Sequence, residues 1–433
     1  MFGYYLDLAL RSLKRNKVLT ALMVLALALG IGASITTLTV LRLLSGDPLP
    51  QKSAQLYYPQ VDPRPAQGFV AGKTRPMPTL TYTDAMNLLK LHKARHQAVM
   101  ALTHAKVMPV QGSERPFFSD AVMTTSDFFP MFDVPFRYGS GWSARDGEAH
   151  ARVVVISDTL NQKLFGGANS VGRTLRISSH DFRVAGVLAP WSLQPRFYAV
   201  RLGGRSYGDG DGVFLPLQTA LADKMRPSNL NCYDTGDLSK LKRAPCVWLG
   251  MWVDLPTASQ ARAYRSFLAN YVRQQMALGR LHRPETAMPD LMQWLRQSQV
   301  VPDDVRLQAW IAFGFLLICV VNTVGLLLAK CLRRSQEIGV RRALGATRRT
   351  VFAQFMVEAG IIGLAGGLLG LAFAELGLWG IRHQPAQYAG LAHLDLSMFA
   401  FTFVVALVSS MIAGVLPAWR ACVLAPAPQL KAS

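Results

Sequence analysis

Acidic residues are the first shortage in this chain: 26 Asp and Glu stand among 433 residues, against 46 Lys and Arg. The formal charge of +20 invites a nucleic-acid reading, but the basic residues lack the pattern for one. About half of the surplus lies on short segments beside apolar runs, where membrane orientation and anionic lipid explain it. Residues 45–306 hold 31 basic and 21 acidic residues, spread singly, without runs or interleaved aromatics. A solvated surface accounts for them, with attraction to an anionic ligand, partner or lipid headgroup as the sharper alternative. Histidine and cysteine are also few, 8 and 5. No cluster of His, Cys and carboxylate emerges, and no nucleophile with its base. The chain reads as non-catalytic, with no metal or cofactor of its own.

Two near misses support that reading. Gln67-Gly-Phe-Val-Ala-Gly-Lys-Thr74 approaches a phosphate-binding loop, but that loop opens on Gly and runs from a strand into a helix. Here Gln67 takes the first place and Arg75-Pro-Met-Pro78 forbids the helix. His92 and His96 have metal-ligand spacing, yet Lys93 stands where a zinc protease carries its glutamate. A solvated helix face is the expectation for that pair.

What the sequence does have is long apolar runs. Four, at Val18–Leu44, Leu307–Cys331, Val351–Ile381 and Leu396–Leu416, meet the roughly 20 residues needed to cross a bilayer. Ala28-Leu-Gly30 mimics a signal-peptide cleavage site, but the apolar run continues to Leu44, beyond the ~7–15 residues of a signal core. A retained anchor is expected. Basic residues mark one side of the membrane: Arg11, Lys14, Arg15 and Lys17; seven between Lys330 and Thr350; and Arg420 with Lys431. With four spans all three groups fall together, which places both termini in the cytoplasm. The fold class is therefore an α-helical membrane protein with four spans and a large α+β domain inserted between the first and second. The expected divisions are 1–44, an outer domain 45–306, a membrane domain 307–420 with a cytoplasmic loop 332–350, and a tail 421–433.

The outer domain reads as mixed α/β. Arg152–Ser157 is a buried strand followed by a short helix to Phe165, ended by Gly166-Gly167. Thr174–Ile177 and Phe182–Leu188 alternate as a hairpin does, and Val247–Leu255 is another strand. Thr257 and Gln260 have capping-box spacing ahead of Ala261, Tyr264, Leu268, Tyr271, Val272 and Gln275, one helical face. One or two small α+β subdomains are expected. Asp303 and Asp304 after Pro302 suit the start of the second span. Cys232 and Cys246, alone on the outer side, could form a disulfide worth roughly 3 kcal/mol; two free thiols is the alternative.

The loop between the second and third spans is the most informative segment. Glu337, Val340, Arg341 and Leu344 fall at helical spacing, so it should hold a short amphipathic helix lying along the membrane. In the third span Gly363, Gly366, Gly367 and Gly370 form a packing face, within one chain or between subunits. Asn322 reads as interhelical glue rather than part of a transport route. Glu358 lies near the loop and could reach water or the basic residues, and Glu375 is a weaker candidate.

At Glu337-Ile-Gly-Val-Arg-Arg-Ala-Leu-Gly-Ala-Thr347 the chain resembles the FtsX-like permease domain of MacB-type ABC transporters. The likeness runs back through Asn322 and forward through Glu358, the glycine-rich span and Leu416-Pro-Ala418. The front half resembles that family's periplasmic core domain at Leu29-Gly-Ile-Gly-Ala-Ser34, Asp47-Pro-Leu-Pro50, Asp127-Phe-Phe129, Phe165-Gly-Gly167, Val171-Gly-Arg173 and Val184-Ala-Gly-Val187. The resemblance implies a bacterial inner-membrane permease that dimerises with a second copy or a paralogue. It also implies cytosolic ATPase subunits that hold ATP and Mg, and in some systems a periplasmic adaptor. Glu337, Gly339, Arg341, Arg342, Leu344, Gly345 and Ala346 would couple to the ATPase. Arg341 and Arg342 would pair with acidic groups, Leu344 would fill an apolar cleft, and Gly345 would end the helix. The family's macrolide exporter carries its ATPase ahead of the first span; here a separate one is expected. The tail Val423–Lys431 is a loose version of the family ending. Export of a drug, peptide or other amphiphile is the leading expectation. Control of a periplasmic partner such as a cell-wall hydrolase, or lipoprotein release, is the alternative.

Overall fold

The computed structural model describes residues 8–9, 11–13, 15–109, 115–233, 241–385 and 387–423; the Asp-Thr-Gly-Asp of 234–237 and the tail beyond Val423 lie outside them. The chain divides into two compact units, Met1–Ser45 with Val301–Ser433, and Gly46–Val300.

Among the described residues, the first unit contains four helices long and apolar enough to cross a membrane: Lys17–Ser45, Asp303–Arg333, Arg348–Arg382 and Leu396–Val423. Each of the first three starts ahead of its apolar run. The second begins at Asp303 with both aspartates in its first turn, where they complement the helix dipole. Thr347 caps the third, its Oγ1 accepting from Thr350 N at 3.3 Å. Met23, Leu27, Ile31 and Ile35 of the first span meet Leu316 and Val320 of the second and Ile362 of the third in the shared core.

In the second unit, the one-body alternative of the sequence reading, most of the strands build a single sheet. Cys246–Asp254 pairs antiparallel with His96–Met108, and that strand with Phe117–Thr124. Phe117–Thr124 runs parallel to Val213–Pro216, which pairs with Val153–Ile156, itself parallel to His180–Leu188. Thr174–Ile177 completes its hairpin with His180–Leu188 and also reaches back to Val107 and Met108. The pairings from His96–Met108 round to Thr174–Ile177 close a ring of strands, and Cys246–Asp254 extends the sheet outside it. Val99, Ala101, Met123, Val154, Phe182, Val184 and Leu215 fill the core.

Helix Ala258–Ala277 opens on the Thr257–Gln260 capping box and buries Ala261, Tyr264, Leu268, Tyr271, Val272 and Gln275, the face its periodicity marks. The Arg196–Asp211 ion pair (2.6 Å) is buried with Tyr198, whose hydroxyl donates to Asp211 at 2.9 Å. Burial raises the Asp211 carboxyl above its ordinary value, with Arg196 opposing the shift.

His92 and His96 do not share a helix. Helix Tyr82–Lys90 stops before them, His92 takes φ 43°, and His96 begins a strand. Residues Gln67 to Thr74 form turns, with Gly68 and Gly72 at positive φ.

Candidate functional site

The second span runs straight into the loop helix. Arg334 (φ −103°, ψ 9°) is the only residue between Arg333 and helix Ser335–Ala343. Ile338 and Gly339 are the residues this helix buries. Ile338 enters an apolar cluster with Cys331 of the second span, Val351 and Phe355 of the third, and Ala418 and Cys422 of the fourth. The helix is thus seated on the ends of three spans. It stops in a reciprocal cap: Gly345 N donates to Arg342 O at 3.2 Å and Ala346 N to Arg341 O at 3.0 Å. That motif requires the left-handed backbone Gly345 supplies at φ 99°.

The face expected from Glu337, Val340, Arg341 and Leu344 exists, but it is the outward one. Val340 is 47% exposed and Leu344 83%, because Ile338 and Gly339 occupy the side turned to the spans. The two arginines of the loop helix also bond within the chain. Arg341 bonds Glu337 at 2.6 Å and Gln354 at 3.3 Å, and Arg342 donates to the Cys422 carbonyl at 3.2 Å. Both are half-buried and hold the loop helix in place, whereas Arg348 and Arg349 are exposed. Leu344 is thus exposed at the end of the loop helix, with exposed Arg348 and Arg349 following at the start of the third span.

Beneath the loop helix lies a polar cluster. Glu358 does not reach water: it is buried and ion-paired with Lys330. Ser12 donates to Glu358 Oε1 at 2.8 Å, and Arg334 donates to Ser12 Oγ. Lys330 is the residue that sequence reasoning misses, because it reads as one of the loop's basic group. The available signal is its position before Cys331, still within the apolar second span, facing a third span with one acidic residue near the same end. Glu375 pairs with Arg382 at 2.6 Å and is half-exposed.

The glycine face packs within the chain and serves two neighbours. Gly363 and Gly367 lie against Ser410 and Ala406 of the fourth span; Gly366 and Gly370 lie against Leu27 and Ile31 of the first. A Cβ on Gly370 would stand 3.0 Å from Ile31 Cγ2. Lipid tails are as apolar as leucine, so such close van der Waals contact has to supply the cohesion. Asn322 does not take part: it is exposed on the second span, while its neighbour Thr323 turns inward and bonds Cys319 O at 2.8 Å. At about 100° per residue the two cannot share a face. Cys232 and Cys246 are directly paired in adjacent strands and joined as a disulfide.

Residues 20–263 match the MacB-like periplasmic core domain, and residues 309–426 match the FtsX-like permease C-terminal domain. The pyoverdine export ATP-binding/permease protein PvdT of Pseudomonas aeruginosa is 28% identical over 335 residues, 75% of this chain and 45% of that protein. The macrolide export ATP-binding/permease protein MacB of Vibrio parahaemolyticus is 21% identical over 425 residues, 97% of this chain and 59% of that protein. The solved periplasmic region of MacB from Actinobacillus actinomycetemcomitans covers 59% of this chain and 97% of its own, at 14% identity and a TM-score of 0.37. The chain spans about half the length of the curated relatives it matches. It belongs to the MacB-type ABC transporter permease family, with a MacB-like core domain joined to an FtsX-like permease domain.

Proposed function

We propose that this chain is the permease subunit of a bacterial inner-membrane ABC system, transmitting ATP-driven motion from the cytoplasm to its Gly46–Val300 domain outside. In this reading both termini and residues 332–350 are cytoplasmic, two permeases associate, and ATP and Mg belong to the ATPase. The observation that carries the proposal is the side chain of Leu344, 83% exposed at the end of a helix anchored to three spans. An exposed leucine on a fixed support suits insertion into an apolar cleft, and Arg348 and Arg349, which follow it in the chain, suit an acidic rim. Arg341 and Arg342 act from within, keeping the helix attached so that force on Leu344 reaches the spans. The names of the relatives, exporters of pyoverdine and macrolide, support an export role.

The test is affinity purification of the full chain in mild detergent, with the co-purifying ATPase identified and its hydrolysis measured. Leu344→Asp should insert normally yet lose most of the ATPase. Retention of the ATPase at the wild-type ratio, with unchanged hydrolysis, would contradict the assignment.

A further inference from the structure

Lys330 and Glu358 are each 1% exposed and paired where the second span hands over to the loop helix. Buried Ser12, from the segment ahead of the first span, donates to the same carboxylate at 2.8 Å. The serine hydroxyl in turn accepts from Arg334, the residue that links span to loop helix. One carboxylate thus joins the N-terminal segment, two spans and the pivot of the loop helix.

As a stabiliser this arrangement is poor. Desolvating two charges offsets most of their attraction, and an apolar pair of similar shape commonly holds a fold as well or better. Glu358 Oε2 is moreover buried without a hydrogen-bond partner among the described residues, which leaves the network half satisfied. Ionisable groups kept inside a span despite such costs point to function. Their location says which. Apolar surfaces in contact can slide through many near-equal registers, whereas a buried ion pair has one favourable geometry. A displacement imposed at Arg334 must carry Ser12 and Glu358 with it or break the pair.

We infer that Lys330 and Glu358 are positioning residues that lock the second and third spans and the N-terminal segment to the loop helix, so that motion of that helix reaches the spans as one body. The inference rests on the proposed grip of an ATPase on the loop helix.

The experiment uses the full chain with its co-purifying ATPase, reconstituted in lipid nanodiscs. Three quantities are read: the ratio of bound ATPase, the melting temperature, and hydrolysis relative to the ATPase alone. Glu358→Gln strands a buried lysine and is prone to misfold, so the informative variant is K330M/E358L. It should melt at or above wild type and keep its ATPase, while stimulation falls about tenfold. Lys330→Arg, which preserves the pair, should retain most of the stimulation. A K330M/E358L complex that is fully stimulated, or one that melts well below wild type, overturns the inference and leaves the proposed function standing. Failure of the wild-type chain to retain any ATPase removes both.

Discussion

A Cβ built on Gly367 would lie 2.7 Å from the Cβ of Ala406, so the third and fourth spans meet with no room for a side chain between them. Gly367→Val should therefore force the helices apart, at a cost of about 1–3 kcal/mol for overpacking. Gly380 lies on the same helix, where a Cβ would meet nothing within 4 Å, so Gly380→Ala is the control. Thermal denaturation in detergent should show a lower midpoint for the first variant and little change for the second. Equal midpoints would show that the seam yields without penalty.

The disulfide between Cys232 and Cys246 ties Asn231–Cys232 to the first residue of strand Cys246–Asp254. Replacing both by Ser should cost about 3 kcal/mol through the freed loop. A peptide map without reductant should recover the two cysteines as one linked species. Two free thiols in protein exported to an oxidising compartment would remove this staple.

Asp395 caps the fourth span: its Oδ1 accepts from Met398 N at 2.7 Å and from Ser397 Oγ at 2.9 Å. The bond from the Met398 N–H, then that from Ser397, holds the carboxyl below its ordinary value. A depressed folded value means that the cap's contribution is complete above the ordinary aspartate pKa, about 3.9, and is lost as pH falls through the folded value. Asp395→Ala should destabilise by about 1 kcal/mol at neutral pH. Melting curves of wild type and variant should converge as the pH is taken below the ordinary value.

Gly345 holds φ 99° at the end of the loop helix. An L side chain is strained there, so Gly345→Ala should weaken the cap by about 1 kcal/mol. Hydrogen exchange should quicken in Ser335–Ala343 and stay unchanged in the spans. Unchanged protection in the loop helix would mean that the cap contributes nothing.

The four spans and the helix Ala258–Ala277 were legible because their signals are local: run length, capping residues and one periodic face. The ring of strands was not, since it depends on Val107 meeting Ile177 across a long stretch of chain. The loop helix shows the same division. Its existence and its glycine stop follow from nearby residues, but spacing alone cannot say which face is buried, and Ile338 rather than Val340 and Leu344 turned inward. Lys330 was hidden for a related reason. A lysine beside a basic loop looks like part of it until Glu358 is found opposite, and Asn322 faced away from the packing although Thr323 faced into it.

The central claim is that the basic loop helix lies on the cytoplasmic side, within reach of a motor. The most direct measurement is labelling of Leu344→Cys by a membrane-impermeant maleimide in intact and in permeabilised cells. Wild type is a suitable blank, because Cys319, Cys331 and Cys422 are buried and the other two cysteines are bonded. The account predicts labelling only after the inner membrane is opened. Labelling in cells whose inner membrane is intact would put Leu344 on the far side from any ATPase and contradict the account.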